Sequence, residues 1–246
     1  MARAEWNNVR VVLLDIEGTT TPIDFVYKTL FPYASTHVES FLSARLGEPE
    51  IRAIVEELKA EHAKDAAATL APPEWPHDSK DELRDCVAYV RWLMARDSKC
   101  TPLKSLQGAI WQRGFESGEL HGEVYPDVPR AFARWQRQGR ELAIYSSGSV
   151  LAQKLLFGSV LSGDLTQQIR DFFDTGVGVK TAAESYMKIA ATMEKAPREL
   201  LFLSDAAKEV EAARSAGMLA ALCERERSRV ENSADTIATF DEVLPD

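Results

Sequence analysis

The sequence predicts an α/β fold, a Rossmann-like doubly wound parallel sheet interrupted by an inserted all-helical cap domain. Three observations lead to this prediction. From residue 126 onward, short apolar runs alternate with helical patterns, as in βαβ units. A similar run at 9–14 comes far earlier in the chain, and the residues between carry helical spacing without a strand pattern. We therefore expect an α/β core at 1–20 and 120–246, and a helical cap at 21–119.

The strands of the core are predicted from short apolar runs, each followed by polar residues. They fall at 9–14, 141–145, 172–175, 199–203 and 218–222. The first run is rich in leucine and β-branched residues, which is typical of a parallel strand buried on both faces. The sheet should therefore have this strand in its interior.

The helices are predicted from apolar residues spaced three and four apart. They fall at 25–46, 48–67, 81–96 and 103–116 in the cap, and at 126–138, 150–157, 181–193 and 209–216 in the core. Pro32 is expected to break or kink the first helix, because proline lacks the N–H that an α-helix uses. Gly139 and Gly217 are expected to end two of the core helices. A proline-rich connection, expected to be exposed, spans 66–79.

Composition limits the classes of function. The chain is 45% hydrophobic and 27% charged, as in ordinary globular proteins, and its net charge of −9 argues against nucleic-acid or basic membrane-surface binding. Cys86, Cys100 and Cys223 are widely spaced without a Cys-x-x-Cys pair, which favours a reducing compartment over disulfides or structural zinc. With no apolar run near the ~18 residues of a membrane span and no signal-peptide profile, we expect a soluble cytoplasmic protein. The sequence does not give the oligomeric state, and a monomer is our expectation.

Polar side chains follow four of the predicted strands. They are Asp15 and Glu17 after the first, Ser146 and Ser147 after the second, Lys180 after the third, and Asp205, with Glu209 one helical turn later, after the fourth. The carboxyl ends of parallel strands meet at one edge of a sheet, where ligands bind. We therefore expect these groups to lie together.

The chemistry of the four groups is that of phosphoryl transfer. Paired carboxylates suit a Mg²⁺ site and a carboxylate nucleophile, and a small-residue turn with hydroxyls suits a phosphate. Each group also has a simpler interpretation. The acids can belong to an ordinary turn, the serines and Asp205 can cap the helices that follow, and Lys180 can be a solvated surface lysine. Their coincidence at successive strand ends favours an active site.

The order of these motifs resembles the haloacid dehalogenase superfamily of aspartyl phosphohydrolases. Most of its members carry an aspartate two residues after the nucleophile, where this chain has Glu17. With that departure, residues 15–23 look like the enolase-phosphatase family of methionine salvage. Further stretches of the chain resemble the same family, at 103–108, 145–150, 152–158 and 184–186. The resemblance covers nearly the whole chain and is loosest at 48–80 and at the C-terminus.

The resemblance implies a role for each residue of the motifs. Asp15 would attack phosphorus and form an aspartyl phosphate, while Glu17 would act as general acid and base. One Mg²⁺ per subunit would be bound by Asp15, by Asp205 and by Glu17, through its backbone carbonyl. Ser146 and Ser147 would donate hydrogen bonds to the phosphate, and Lys180 would neutralise its charge.

The resemblance also implies two reactions on one small phosphorylated substrate. A 2,3-diketo-5-methylthiopentyl-1-phosphate would be converted to its enol and then dephosphorylated to the acireductone 1,2-dihydroxy-3-keto-5-methylthiopentene. The base for enolisation stays open between Glu17 and a residue of the cap. Lys104 and Gln107, three apart on one helix face, are candidates for binding the substrate carbonyl oxygens, although Lys104 is equally well explained as a surface lysine.

Other interpretations of the sequence stay open beside this one. Trp111, Phe115, Tyr27 and Phe25 are candidates for contacting the methylthio tail, although aromatic residues more often form core. The enzyme could act on another small phosphate ester, or be a dehalogenase, which needs no metal. A binding module that kept the fold and lost the chemistry is a third alternative. The joint presence of Asp15, Glu17, Lys180 and Asp205 favours an enzyme over such a module.

Overall fold

The computed structural model describes residues 4–68, 70–76, 80–226 and 236–246. Part of the predicted 66–79 connection lies outside these residues. The chain divides into two compact units. The α/β unit comprises Met1–Phe25 and His121–Asp246, and the helical unit comprises Val26–Leu120.

The α/β unit is built on a sheet whose strands are all parallel. Over the described residues, its order is β3-β2-β1-β4-β5-β6. The strands are β1 (Val11–Leu14), β2 (Glu141–Tyr145), β3 (Asp171–Phe173), β4 (Leu200–Ser204), β5 (Leu219–Cys223) and β6 (Thr236–Ile237). Because β1 pairs with β2 on one side and β4 on the other, its carboxyl end lies where the strand order reverses. The predicted fold class is confirmed.

The interior strands form because both of their faces are covered. Every residue of β1 and β4 is buried. On one face, Leu13, Tyr145 and Phe202 belong to one apolar cluster, together with Ile189 and Ala213 from two of the helices. Burial on both faces explains why these strands are continuous apolar runs rather than alternating ones.

The helices of the α/β unit connect the strands. They are α1 (Ile23–Phe25), α6 (Val128–Arg137), α7 (Val150–Gly158), α8 (Ala183–Thr192) and α9 (Ala207–Ser215). Gly139 and Gly217 follow α6 and α9 with φ of +72° and +85°, a conformation that favours glycine. Strand β6 was not predicted, since a two-residue strand leaves no hydrophobic pattern in the sequence.

The helical unit contains α2 (Phe31–Arg45), α3 (Pro49–Ala67), α4 (Glu82–Ala95) and α5 (Thr101–Ser117). Each helix contributes to one apolar core, which includes Val38, Leu42, Val55, Val90 and Leu106. Among the described residues, no helix has both the length and the apolar composition needed to cross a membrane. Cys86, Cys100 and Cys223 are free thiols.

The first helix of this unit changes type near Pro32. A π-helical turn, Val26–Leu30, precedes α2, and Pro32 lies in the first turn of α2. The predicted interruption of the helix over 25–46 near Pro32 is confirmed, because the π-helical turn changes to α-helix directly before the proline. The Leu30 carbonyl accepts a 2.8 Å hydrogen bond from the Trp111 indole N–H.

Candidate active site

The turn after β1 places Asp15 at the carboxyl end of the central strand. The Ile16 carbonyl accepts the N–H groups of Thr19, Thr20 and Thr21 at 2.9–3.1 Å, which closes the turn tightly. Gly18 makes this closure possible with φ of +71°. The Asp15 side chain is 7% exposed, so the carboxylate is fixed in a largely desolvated position.

The Asp15 carboxylate contacts a lysine from a distant part of the chain. Lys180 Nζ lies 2.5 Å from Asp15 Oδ1 and 2.6 Å from Glu209 Oε2. Burial by itself would lower the pKa of Lys180, but the two carboxylates raise it above its usual value. The interpretation of Lys180 as a solvated surface lysine is therefore wrong, since its side chain is only 10% exposed.

Three hydroxyl groups hold the loop that carries Lys180. Tyr145 Oη donates to the Gly178 carbonyl at 3.0 Å, Ser185 Oγ to the Val179 carbonyl at 2.8 Å, and Tyr186 Oη to the Lys180 carbonyl at 2.7 Å. Three consecutive carbonyls thus each receive one donor from a neighbouring strand or helix. This arrangement fixes the backbone from which the lysine side chain reaches Asp15.

Asp205 lies directly against the turn after β1. Its N–H donates to Thr19 Oγ1 at 3.0 Å, and a Cβ atom at Gly18 would come within 2.3 Å of Asp205 Oδ2. The alternative in which Asp205 caps the helix after β4 is wrong, because α9 begins at Ala207 and its N-cap position is Ala206. The Asp205 carboxylate is therefore available to a ligand.

The acids around Asp205 influence one another strongly. Burial, followed by the charges of Asp15, Glu209 and Glu17, raises the pKa of Asp205 to about 6, although Lys180 opposes the shift. Asp205 itself remains exposed at the edge of the site, so its carboxylate is not sealed from solvent. The site thus carries more negative charge than Lys180 offsets.

This excess of charge, together with the oxygen donors, is the environment that a hard divalent cation requires. Asp15 and Asp205 each contact the turn after β1 through Thr19 or Gly18, so both carboxylates belong to one small volume. Among the described side chains, no group of three acids, histidines or cysteines forms a ready metal cluster. Mg²⁺ does not require one, since it binds through one or two carboxylates and retains water. The residues therefore fit Mg²⁺.

The turn after β2 carries the predicted serines. The N-cap of α7 is Ser149, whose Oγ accepts the Ala152 N–H at 3.3 Å, so the interpretation of Ser146 and Ser147 as helix caps is wrong. Ser146 is buried and its Oγ accepts the Gly148 N–H at 3.2 Å, which leaves its proton free for another acceptor. Ser147 is exposed at the same turn.

A glutamine holds this turn to the neighbouring strand. Gln153 Nε2 donates to the Gly148 carbonyl at 2.8 Å and to the Phe173 carbonyl, at the end of β3, at 2.9 Å. The Ser146 N–H donates to the same Phe173 carbonyl at 3.1 Å. The serine turn is therefore anchored at the same sheet edge as Asp15.

Lys104 and Gln107 belong to α5 of the helical unit, where Gln107 is buried and Lys104 is half-buried. Trp111 in the same helix stacks on Phe31 with ring centroids 6.2 Å apart, whereas Tyr27 is 52% exposed. Binding of substrate by these residues stays a prediction.

The residues that hold the site together were largely missed by sequence reasoning. Gln153, Ser185 and Tyr186 lie inside stretches that resemble the enolase-phosphatases, so the resemblance contained their signal. The sequence assigns no role to Glu209, whereas the structure shows that its carboxylate holds Lys180 at 2.6 Å. Arg225, which donates to the Thr19 carbonyl, belongs to no motif found in the sequence. Like the other site residues, it comes directly after a strand of the sheet, β5.

Comparison with known proteins identifies the class. A family model described as haloacid dehalogenase-like hydrolase matches residues 9–217. The enolase-phosphatase E1 of Synechococcus elongatus is 46% identical over 96% of this chain and 98% of its own length. That of Drosophila melanogaster is 43% identical over 96% of this chain and 91% of its own length. This chain therefore belongs to the haloacid dehalogenase-like hydrolases and, among them, to the enolase-phosphatase family.

A solved structure extends the likeness to three dimensions. The UTR4 protein of Saccharomyces cerevisiae is 32% identical, with a TM-score of 0.75, and the alignment covers 95% of this chain and 99% of that one. The predicted family is thus confirmed by sequence and by fold.

Proposed function

We propose that this protein is a bifunctional enolase-phosphatase of methionine salvage. It converts 2,3-diketo-5-methylthiopentyl-1-phosphate to its enol and then hydrolyses the phosphate ester to release the acireductone. The observation that carries this proposal is the contact of Asp15 with Lys180 beside Asp205, in a chain whose relatives over almost its full length are enolase-phosphatases.

The phosphatase step begins with attack by Asp15 on phosphorus. Its buried carboxylate is held by Lys180 at one oxygen and by the Thr19 hydroxyl at the other, at 2.5 Å and 3.3 Å. A carboxylate and a phosphate repel each other, and the ammonium beside the attacking oxygen reduces this repulsion. Attack forms the Asp15–phosphorus bond and breaks the bond from phosphorus to the leaving oxygen.

Ser146 and Ser147 donate hydrogen bonds to the phosphoryl oxygens. The support for Ser146 is that its hydroxyl already accepts the Gly148 N–H, which directs its own proton elsewhere. Anchoring by Gln153 keeps the turn in place, so the hydrogen bonds need no reorganisation as charge develops.

Glu17 completes the phosphatase cycle as general acid and then general base. It protonates the leaving oxygen and later removes a proton from the water that hydrolyses the aspartyl phosphate. Its position two residues after Asp15, in the same turn after β1, supports this role. For enolisation, a base removes the proton next to the carbonyl, and Glu17 is our first candidate.

Mg²⁺ is the proposed cofactor. Asp15, Asp205 and the Glu17 carbonyl would hold it, and when bound it supplies positive charge to the phosphate and to the enolate oxygen. Lys180 contacts Glu209 as well as Asp15, so Glu209 would hold the lysine beside Asp15 rather than bind the metal.

The experiment that tests this function uses the diketone phosphate with Mg²⁺ and follows enol absorbance and phosphate release in the same sample. We expect the enol to appear first and phosphate to follow. Asp15→Asn is the matched control, which should stop phosphate release. A sugar phosphate hydrolysed faster than the diketone phosphate would contradict the proposed substrate, and phosphate release in excess chelator would contradict the proposed cofactor.

A further inference from the structure

A buried arginine that follows β5, two strands away from β1 in the sheet, holds the turn that carries Asp15. Arg225 follows β5, and its side chain is 7% exposed. Its Nε donates to the Thr19 carbonyl at 2.8 Å, and its Nη2 donates to the same oxygen. Two donors on one carbonyl fix the orientation of that peptide group more firmly than one donor does.

The guanidinium is itself held on several sides. Its Nη1 donates to Asp127 Oδ2 at 2.6 Å, and its Cζ lies 4.3 Å from the ring centroids of both Tyr125 and Phe240. Asp127 Oδ2 also accepts the Thr239 hydroxyl at 2.8 Å and the Phe240 N–H at 2.6 Å. The arginine therefore has one position available to it, and that position faces Thr19.

Asp127 remains ionised in this environment. Burial by itself would raise the pKa of Asp127, but the charge and hydrogen bond of Arg225 hold it below its usual value. The pair is thus a buried ion pair whose net effect on stability is small or unfavourable relative to apolar packing. Stability therefore does not explain this ion pair, whereas its contact with the turn that carries Asp15 does.

Thr19 connects this pair to the reacting groups. Its carbonyl receives Arg225, while its hydroxyl donates to Asp15 Oδ2 at 3.3 Å and accepts the Asp205 N–H at 3.0 Å. The Tyr125 N–H holds the next carbonyl, that of Thr20, at 2.9 Å. Moving the Thr19 peptide would therefore move the hydroxyl that orients Asp15.

We propose that Arg225 is a positioning residue for the nucleophile Asp15 and that it acts through Thr19. This inference rests on the proposed function of the site. It assigns to Arg225 no contact with substrate. Its effect is to keep the Thr19 hydroxyl in the place where it aligns one oxygen of the Asp15 carboxylate.

A second buried arginine in the same unit offers a matched control. Arg134 is 9% exposed and donates to the carbonyls of Phe240, Val243 and Leu244. These contacts anchor the C-terminal segment and do not include the turn after β1. Arg134 shares Phe240 with the surroundings of Arg225 but makes no contact with Thr19. Loss of Arg134 therefore reports the cost of disturbing this C-terminal segment while the two donors to the Thr19 carbonyl stay in place.

The test compares Arg225→Lys with Arg134→Lys in steady-state phosphatase assays below the melting temperature of both variants. Lysine keeps the positive charge beside Asp127, but it lacks the planar guanidinium whose two N–H groups donate to the same Thr19 carbonyl. We expect Arg225→Lys to lower kcat about 10- to 100-fold with KM nearly unchanged, as misplacement of a reacting group does. Arg134→Lys should leave both constants within about twofold. A kcat for Arg225→Lys within about twofold of wild type would overturn the inference.

A double-mutant cycle with Thr19→Val identifies the route of the effect. If Arg225 acts through the Thr19 hydroxyl, the double variant should lose no more kcat than the worse single variant. A double variant whose fold loss in kcat equals the product of the two single losses would overturn the inference. Asp127→Asn provides a second route if Arg225→Lys does not fold, and it should lower kcat in the same direction by a smaller factor. Unchanged kcat in that variant would count equally against it.

Failure of this inference is distinguishable from failure of the proposed function. Wild-type phosphate release that disappears in Asp15→Asn supports the function whatever Arg225→Lys does. If Asp15→Asn released phosphate as fast as wild type, the proposed function would be contradicted, and the Arg225→Lys result would then no longer concern a nucleophile.

Discussion

The two units of the chain place their charges differently. In the helical unit, ion pairs such as Lys59–Glu82 and Lys64–Glu61 lie near the surface, with side chains 23–73% exposed. In the α/β unit, the Lys180–Asp15 pair is 10% and 7% exposed, and the Arg225–Asp127 pair 7% and 8%. Surface pairs contribute little to stability, and buried pairs are costly to form. Among the described ion pairs, those in which both side chains are at most 10% exposed therefore lie beside the turn that carries Asp15.

The largest expected effect comes from changing Asp15, the proposed nucleophile. Asp15→Asn keeps the volume of the side chain but cannot form an aspartyl phosphate, so phosphatase activity should fall about 10⁴-fold or more. Phosphate release measures this, and circular dichroism checks that the fold is kept. Residual activity within about tenfold of wild type would mean that another group attacks phosphorus.

Removing the buried cation should affect both activity and stability. Lys180→Met leaves Asp15 and Glu209 without the ammonium between them, so kcat should fall about 10²- to 10³-fold. The free energy of unfolding should fall by about 3–5 kcal/mol, because a buried charge loses its partner. Urea unfolding measures the second quantity. A variant as stable as wild type would show that the Lys180 contacts are not formed in solution.

Shortening Glu17, the proposed general acid, should separate catalysis from metal binding. Glu17→Asp keeps the backbone carbonyl and the charge but loses reach, so kcat should fall about 10- to 100-fold while Mg²⁺ affinity stays nearly constant. Enol formation by Glu17→Gln then tests the base: an unchanged rate of enolisation would exclude Glu17 from that step. A wild-type kcat in Glu17→Asp would show that reach does not matter.

The raised pKa of Asp205 predicts a pH-dependent effect of Mg²⁺. In the metal-free protein this acid has a pKa of about 6 instead of 3.8, so its contribution to stability falls as pH rises through that interval. A bound cation should stabilise the protein more as pH rises, because it binds the ionised form of Asp205. Mg²⁺ at about 100 times its Kd should raise Tm by about 5–10 °C near pH 7.5 and clearly less near pH 5. Asp205→Asn should remove the difference, whereas equal shifts in the wild type would contradict it.

The smallest expected effects come from two conservative substitutions, one in each unit, which should differ in their effect on kcat. Tyr186→Phe removes the hydroxyl that holds the Lys180 carbonyl, so we expect a loss of about 1 kcal/mol in stability and a few-fold loss in kcat. Glu82→Gln weakens a pair in the helical unit, with at most about 1 kcal/mol lost and kcat unchanged. If Glu82→Gln lowers kcat as much as Tyr186→Phe, the contrast between buried and surface charge fails.

Sequence reasoning succeeded where the signal was local or came from the resemblance. The apolar run before Asp15, the alternation of strands and helices, and the polar strand ends are all readable along the chain. Contacts between distant parts of the chain cannot be read from the sequence in this way. Arg225 contacts Thr19, for example, only because folding brings β5 and β1 into one sheet. Ser149 was overlooked as the N-cap of α7 because three serines in one turn compete for that role. Strand β6 was overlooked because it is too short for a periodic pattern.

The most direct test of the whole account is to trap the covalent intermediate. The wild-type protein is mixed with labelled diketone phosphate and Mg²⁺, quenched in acid within one turnover, and digested for peptide mapping. We predict hydroxylamine-sensitive label on the peptide that contains Asp15, and none in Asp15→Asn. Phosphate release without any labelled peptide, or label on a peptide from elsewhere in the chain, would contradict the assignment of Asp15 as nucleophile.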